Sequence, residues 1–212
     1  MLYQKVIQSI YREQLQNVGV GKVADYIPAL SKVDPKNYAI SICDLEGGQF
    51  SIGDSDKKFT IQSISKLFTL AMVIRHIGDQ LWNFVGREPS GSAFNSMILL
   101  EQERGFSRNP FLNAGAFVVT DKLIDLYSDP KGALIDFVRE LSNDNQIDFD
   151  YEVAKSELDT SFRNNAMANL MKSYGTITNS VDRVIDIYTQ QCSIAMTTAA
   201  LARSFLFLAN RG

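Results

Sequence analysis

The chain has 212 residues, 45% hydrophobic and 21% charged, which is enough apolar material for a packed core and excludes a disordered or fibrous protein. Its net charge is -3 and its 21 basic residues are scattered, so no nucleic-acid footprint exists and small molecules or proteins are the expected partners. The longest apolar run, around Leu67 to Ile74, is too short for a bilayer, and the charged amphipathic amino terminus does not read as a secretory signal; a cytoplasmic protein with no membrane association is expected.

Residues 2 to 17 repeat apolar positions at helical spacing (Val6, Ile7, Ile10, Leu15) and predict an opening helix, stopped by Gly19 and Gly21. The alternation from Tyr38 to Asp44, the turn chemistry of Glu46, Gly47 and Gly48, and the extended character of Gln49 to Ile52 predict a β-hairpin. Phe59 to Ile61 reads as one more short extended piece. From Ser63 to His76 the period becomes helical, with Leu67, Leu70, Ile74 and Ile77 on one stripe.

A Gly/Pro/Ser-rich loop from Gly86 to Ser92 comes next. Helix-like segments then run near 94 to 101, 113 to 127, 131 to 142, 150 to 155, 160 to 173, 178 to 190 and 196 to 209. There is no internal repeat. The expected class is α+β, a short antiparallel sheet with a large helical region, in one domain spanning 1 to 212, divided into 1 to 62 and 63 to 212. A two-stranded hairpin is marginal alone and needs more strands, yet nothing after Ile61 alternates. The end at Ala209 to Gly212 reads as a helix closed by a glycine cap, so the expectation is a shortened polypeptide with an incomplete sheet.

His76 is the only histidine, and its apolar neighbours Val73, Ile74, Ile77 and Leu81 place it on an amphipathic helix. Any Ser-His-Asp or Cys-His site would have to use it, and nothing nearby orients it. Cys43 and Cys192 lie far apart with no CxxC or His-rich context, which suits reduced, buried structural thiols and neither a disulfide framework nor a metal site; no cofactor is implied.

The pattern S-x-x-K puts a lysine amine one helical turn from a serine hydroxyl, where it can remove the proton. It occurs three times, at Ser55/Lys58, Ser63/Lys66 and Ser128/Lys131. The first lies in a polar turn with solvated charges. The third is broken by Asp129 and Pro130, which disfavour a regular turn from the serine. Ser63 opens an apolar helix after an extended segment, where a helix start favours developing negative charge. Lys66 sits among Ile64, Leu67 and Leu70, and burial of that face would favour its neutral form. On spacing alone two readings stand: a nucleophile with its base, or an N-cap serine beside a snorkelling surface lysine.

Five motifs occur together in order: Tyr26-Ile-Pro28, Gln62-Ser-Ile-Ser-Lys66, Asn109-Pro-Phe-Leu-Asn-Ala-Gly115, Arg163-Asn164 with Met171-Lys-Ser-Tyr-Gly175, and Tyr188-x-x-x-Cys-Ser193. In order and spacing the whole chain resembles the serine-dependent bacterial glutaminases. The resemblance implies a fold like the serine β-lactamases and DD-peptidases, and hydrolysis of L-glutamine to L-glutamate and ammonia by a homo-oligomeric enzyme. It further implies Ser63 as the acyl-enzyme nucleophile, Lys66 as its base and Tyr26 as a proton relay near the leaving ammonia. Gln62 would lie with Ser63 in the substrate site, and Asn113, Glu157, Asn164 and Tyr188 would hold the amino acid end of the substrate. A zwitterion needs one acid for its ammonium and neutral donors for its carboxylate, and Glu157 beside two amides and a phenol meets that need.

The family's second oxyanion donor comes from a Lys-Ser-Gly type strand, and neither Lys-Ser-Gly nor Lys-Thr-Gly occurs in residues 1 to 212. The expectation is that this chain alone turns over little or no glutamine. Two rival readings remain: a non-catalytic glutamine-binding or regulatory protein, and a penicillin-recognising serine hydrolase using the same Ser63/Lys66 pair.

Overall fold

The computed structural model describes residues 2 to 91 and 93 to 211. The expected glycine cap at Gly212 and the last residue of the predicted loop, Ser92, lie outside them.

The opening helix α1 spans Leu2–Gln14, shorter than the apolar spacing predicts, with Leu15–Asn17 continuing as a tight 3-10 turn. It lies on the predicted hairpin, β1 (Ala39–Cys43) and β2 (Gln49–Gly53), which pairs Ile42 with Phe50 and Ile40 with Ile52. Two ring pairs hold the helix there: Tyr3 against Phe50 at 5.7 Å and Tyr11 stacked on Tyr38 at 5.0 Å. Only Ile7 of the predicted stripe is buried; Val6, Ile10 and Leu15 stay exposed, because two strands cover less width than the stripe offers.

Three further strands are present and very short, but none pairs with the hairpin, which stays two-stranded among the described residues. β3 (Phe59–Thr60), β4 (Asp148–Phe149) and β5 (Ile194–Met196) form a second antiparallel sheet in the order β3, β5, β4. Two or three residues cannot display an alternation, so no pattern announces them. Ile194 O accepts from Ile61 N at 2.9 Å, and Ser193 O accepts from Asp150 N at 2.8 Å. One strand thereby fixes both the segment leading to Ser63 and the segment leading to Glu157.

The remaining helices are α2 (Lys66–Ile77), α3 (Met97–Gln102), α4 (Asn113–Leu126), α5 (Pro130–Ser142), α6 (Tyr151–Asp159), α7 (Phe162–Tyr174), α8 (Val181–Cys192), α9 (Thr198–Ser204) and α10 (Leu206–Ala209). Their starts reflect sequence chemistry: Asp129 caps α5 with Pro130 at its first position, Asp150 caps α6, Ser180 caps α8 and Thr197 caps α9. α4 is apolar nearly all round and runs through the centre, packed by α2, α7 and α8. Its first turn touches the backbone of Asn109 so closely that a Cβ at Gly115 would lie 1.9 Å from Asn109 O, so only glycine fits there. Farther along, the fully buried Asp121 accepts hydrogen bonds from Thr178 and Asn179, tying the entry of α8 to α4.

α2 departs from expectation twice. It begins at Lys66, and Ser63 lies in the preceding 3-10 turn, Gln62–Ser65. Its buried face is Lys66, Phe68, Thr69, Leu70, Met72 and Val73; of the predicted stripe, Leu70 is buried and Ile77 packs on the core, while Leu67 and Ile74 line, with Leu70, an apolar groove that includes Phe137, Leu141, Phe207 and Leu208. The apolar residues of this helix occupy more than one side, so the 3.6-residue period alone does not identify which side meets α4.

Candidate active site

The turn that carries Ser63 is built by an uncommon backbone. Gln62 adopts φ 49°, a left-handed conformation that costs a non-glycine residue about 1 kcal/mol or more. Its side chain donates to Thr60 Oγ1 at 3.1 Å and its carbonyl accepts from Ser65 Oγ at 2.7 Å, which holds the strained residue in place. Ser63 comes immediately after it and lines a cavity of about 270 Å³.

Tyr26, Gln62, Ser63, Asn113, Glu157, Asn164 and Tyr188 all line this one cavity, although more than 160 residues separate the first from the last. Lys66 lies just behind its wall, only 5% exposed. Its amine donates to Phe111 O at 2.9 Å and Asn113 Oδ1 at 2.8 Å, and the Phe94 ring lies 5.8 Å away. Burial pulls the Lys66 pKa below its usual value, and Glu157 partly offsets this. The surface-lysine reading of Lys66 is thus excluded. Tyr188 lines the cavity beside Ser63. Its hydroxyl reaches Asn113 Oδ1 at 3.4 Å, so Tyr188, Asn113 and Lys66 form one hydrogen-bonded cluster at the cavity that Ser63 lines.

Each member is held from outside the cavity. Asn113 starts α4, with its amide donating to Phe94 O at 3.1 Å and its side chain to Asn164 Oδ1 at 3.3 Å. Tyr188 packs edge-on against Phe117 at 4.9 Å, and burial raises its pKa well above the usual value, so it remains a phenol. Tyr26 stands mostly exposed at the rim, placed by Ile27 and Leu30, which pack on Val153 of α6, and by Ala29 N donating to Ser156 Oγ at 3.1 Å. Burial of its ring and then the Glu157 charge raise its pKa too.

Glu157 is 8% exposed, and its Oε2 has no hydrogen-bond partner among the described residues. Burial pushes its pKa up to about 7, with Lys66 pulling it back. A buried carboxylate oxygen without a donor is costly and uncommon, and it marks where a cationic ligand group would be stabilised.

Asn95, Thr160, Ser161, Arg163 and Cys192 also line the cavity and are not among the site residues that the sequence points to. Three of them lie within the span from Glu157 to Asn164, so two candidates seven residues apart are the signal that could have drawn attention to the turn between them. Cys192 is expected to be a structural core thiol; it is buried and unpaired, but it faces the cavity. The other S-x-x-K lysines are engaged elsewhere, Lys58 with Gln146 O and Lys131 with Asp186. Ser55, expected in a solvated turn, is instead only 9% exposed. His76 pairs with Tyr127 at 2.6 Å, away from the cavity lining.

A family model described as Glutaminase matches residues 21 to 212. A thermolabile glutaminase of Rhizobium etli is 48% identical over 211 residues, covering 99% of this chain and 68% of that protein. A glutaminase of Aliarcobacter butzleri is 46% identical over 213 residues, covering 100% of this chain and 70% of that protein. Among solved structures, one described as the probable glutaminase ybaS superposes with a TM-score of 0.90 at 33% identity, covering 97% of this chain and 67% of the other. A second, described as Mglu in its tris and glutamate form, has a TM-score of 0.83 at 30% identity, covering 93% of this chain and 45% of the other. None of these matches favours the penicillin-recognising or the non-catalytic reading.

Proposed function

The chain belongs to the glutaminase family, with its β-lactamase-like fold and its hydrolysis of L-glutamine, and from that premise we propose that the cavity around Ser63 performs the reaction through an acyl-enzyme. In this reading Ser63 Oγ attacks the side-chain amide carbon of glutamine and its proton passes to the Lys66 amine, directly or through the Tyr188 phenol. The C–N bond then breaks, ammonia leaves with a proton returned by Lys66 and relayed by Tyr26, and water hydrolyses the ester to L-glutamate. The Ser63 amide serves as an oxyanion donor.

The geometry of Lys66 supports the role of base. A neutral amine has two N–H donors and one lone pair. Phe111 O and Asn113 Oδ1 take up the two donors, leaving the lone pair as the remaining position. Tyr188 and Tyr26, both with raised pKa values, suit proton relay as phenols and not a standing phenolate.

The observation that carries the choice of substrate is the unpartnered Glu157 Oε2 in the same cavity as Ser63. It fits the α-ammonium of an amino acid, with Asn113, Asn164, Gln62 and Tyr188 available to the rest of the ligand. Mass spectrometry after incubation with a diazoketone analogue of glutamine tests this: a single adduct on Ser63, prevented by excess L-glutamate, is expected. Labelling at another residue, or labelling that L-glutamate does not block, would refute the reading. The unpaired Cys43 and Cys192 support a cytoplasmic setting, and the uncovered apolar side chains of α1 support assembly into a homo-oligomer.

Glu157 also sets a pH dependence. Its raised pKa means that, without ligand, its protonated form favours folding; that contribution is fully present below about 4.5 and lost as pH rises through about 7. An ammonium bound against it reverses the preference and stabilises the carboxylate. L-glutamate is therefore expected to bind weakly below pH 7, by about tenfold per unit at the steepest, and to tighten to a plateau above it. Calorimetric titration across that range should show the slope, and Glu157→Gln should remove both the slope and most of the affinity. An affinity that ignores pH in the unmodified protein contradicts the contact.

A further inference from the structure

The residue before Ser63 is the one strained position at the cavity among the described residues. Gln62, Arg104, Asn143 and Arg211 carry a positive φ without being glycine, and of these Gln62 alone lines the cavity. Relaxation of Gln62 to negative φ would rotate the peptide unit that joins it to Ser63. That unit contains the Gln62 carbonyl and the Ser63 amide, which point in opposite directions across a trans peptide plane. Whatever holds the carbonyl therefore also aims the amide.

The Ser65 hydroxyl holds it, donating to Gln62 O at 2.7 Å. Ser65 is fully buried and does not line the cavity, so it acts on a ligand there only through this turn. A serine that donates to the carbonyl three residues back is an ordinary feature of helix starts. Here the acceptor is unusual, because the carbonyl belongs to a left-handed residue and shares its peptide with Ser63. Thr60 opposes the same relaxation from the other side. Its Oγ1 accepts from Gln62 Nε2 at 3.1 Å, and it is fixed to β5 by pairing with Ala195 and by Ile61 N donating to Ile194 O. One hydrogen bond is comparable in free energy to the strain of one left-handed residue, so neither clamp is redundant.

We propose that Ser65 is a positioning residue for acyl transfer: its hydroxyl pins the Gln62–Ser63 peptide and thereby aims the Ser63 amide as the oxyanion donor. The inference rests on the acyl-enzyme reading of the cavity and deepens it, giving a role to the second serine of Gln62-Ser-Ile-Ser-Lys66. Accepting a hydrogen bond at the carbonyl also polarises the peptide and strengthens its N–H as a donor. Ser65 thus sets both the direction and the strength of that donor without touching the substrate.

The rate at which the diazoketone analogue labels Ser63, followed at rising analogue concentration, gives a maximal rate and a half-saturating concentration. Ser65→Ala should lower the maximal rate by about fivefold or more, while half-saturation and L-glutamate affinity stay within about twofold. Ser65→Cys, similar in shape but a weaker donor, should fall between. Lost packing alone would lower the thermal midpoint and the labelled fraction, with the folded fraction reacting at the unmodified rate. An unchanged maximal rate in Ser65→Ala, or slowing matched by an equal loss of L-glutamate affinity, overturns the inference alone. Should Ser65→Ala fail to fold, Thr60→Val carries the test by removing the acceptor of the Gln62 side chain. A lowered maximal rate is expected there, and an unchanged one overturns the clamp. Failure of the unmodified protein to form a Ser63 adduct would overturn the acyl-enzyme reading, and this inference with it.

Discussion

In a protein that carries this cavity and releases ammonia from glutamine, replacing Ser63 with alanine is expected to lower kcat by about 10⁴-fold or more while leaving L-glutamate affinity within about twofold. The hydroxyl is the only part of the proposed reaction that forms a bond to carbon, so its loss removes the covalent route and leaves the binding groups intact. Of the other nucleophilic side chains lining the cavity, Thr160 and Ser161 donate their hydroxyls to Ser156 O and Leu158 O, which leaves the Cys192 thiol to be ranked against Ser63. Burial, and then the Glu157 charge, push the Cys192 thiol far above its usual range, so it has no thiolate to offer. Ser63 instead lines the cavity beside the Tyr188 phenol, which shares Asn113 Oδ1 with the desolvated Lys66 amine. Ammonia release measured on Ser63→Ala and Cys192→Ala proteins separates them, and turnover within tenfold of the unmodified chain in Ser63→Ala would transfer the role elsewhere.

The sequence exposes the parts of the site whose chemistry is local. Ser63 and Lys66 are one turn apart, and the change from extended to helical period at Ile61 locates them without structural information. The hairpin is equally visible, because five-residue strands with a glycine turn carry a readable alternation. Long-range closure is hidden. β4 and β5 are two and three residues long, yet they align the approach to Ser63 with the approach to Glu157. The resemblance points to Glu157, Asn164 and Tyr188, but no spacing argument could bring α6, α7 and α8 around one cavity. Arg163 stands inside a recognisable motif, yet only the fold shows that it lines the cavity. Side-chain direction is hidden as well: the α2 stripe identifies the groove face and misses the face carrying Lys66 into the core.

Replacing Lys66 separates a base from a brace. Lys66→Ala is expected to lower kcat/KM by about 10³-fold or more, but alone it is ambiguous, since it also frees Phe111 O and Asn113 Oδ1. Asn113 would lose the contact that orients it toward Tyr188 and Asn164, and a rise in KM would result from that alone. Lys66→Arg resolves the ambiguity. A guanidinium can still donate to both oxygens, but it keeps its proton throughout the working pH range and has no lone pair to accept one. The arginine protein is therefore expected to recover much of the L-glutamate affinity and almost none of the turnover. Thermal unfolding would verify that the larger side chain is accommodated. In the unmodified protein, the desolvated amine should make kcat/KM rise with pH through an ionisation below the usual lysine range, and that limb should vanish from both variants. Should Lys66→Arg turn over glutamine within tenfold of the unmodified chain, the proton from Ser63 must go to another acceptor. Glu157, buried in the same cavity with its pKa raised to about 7, would be the group to examine next.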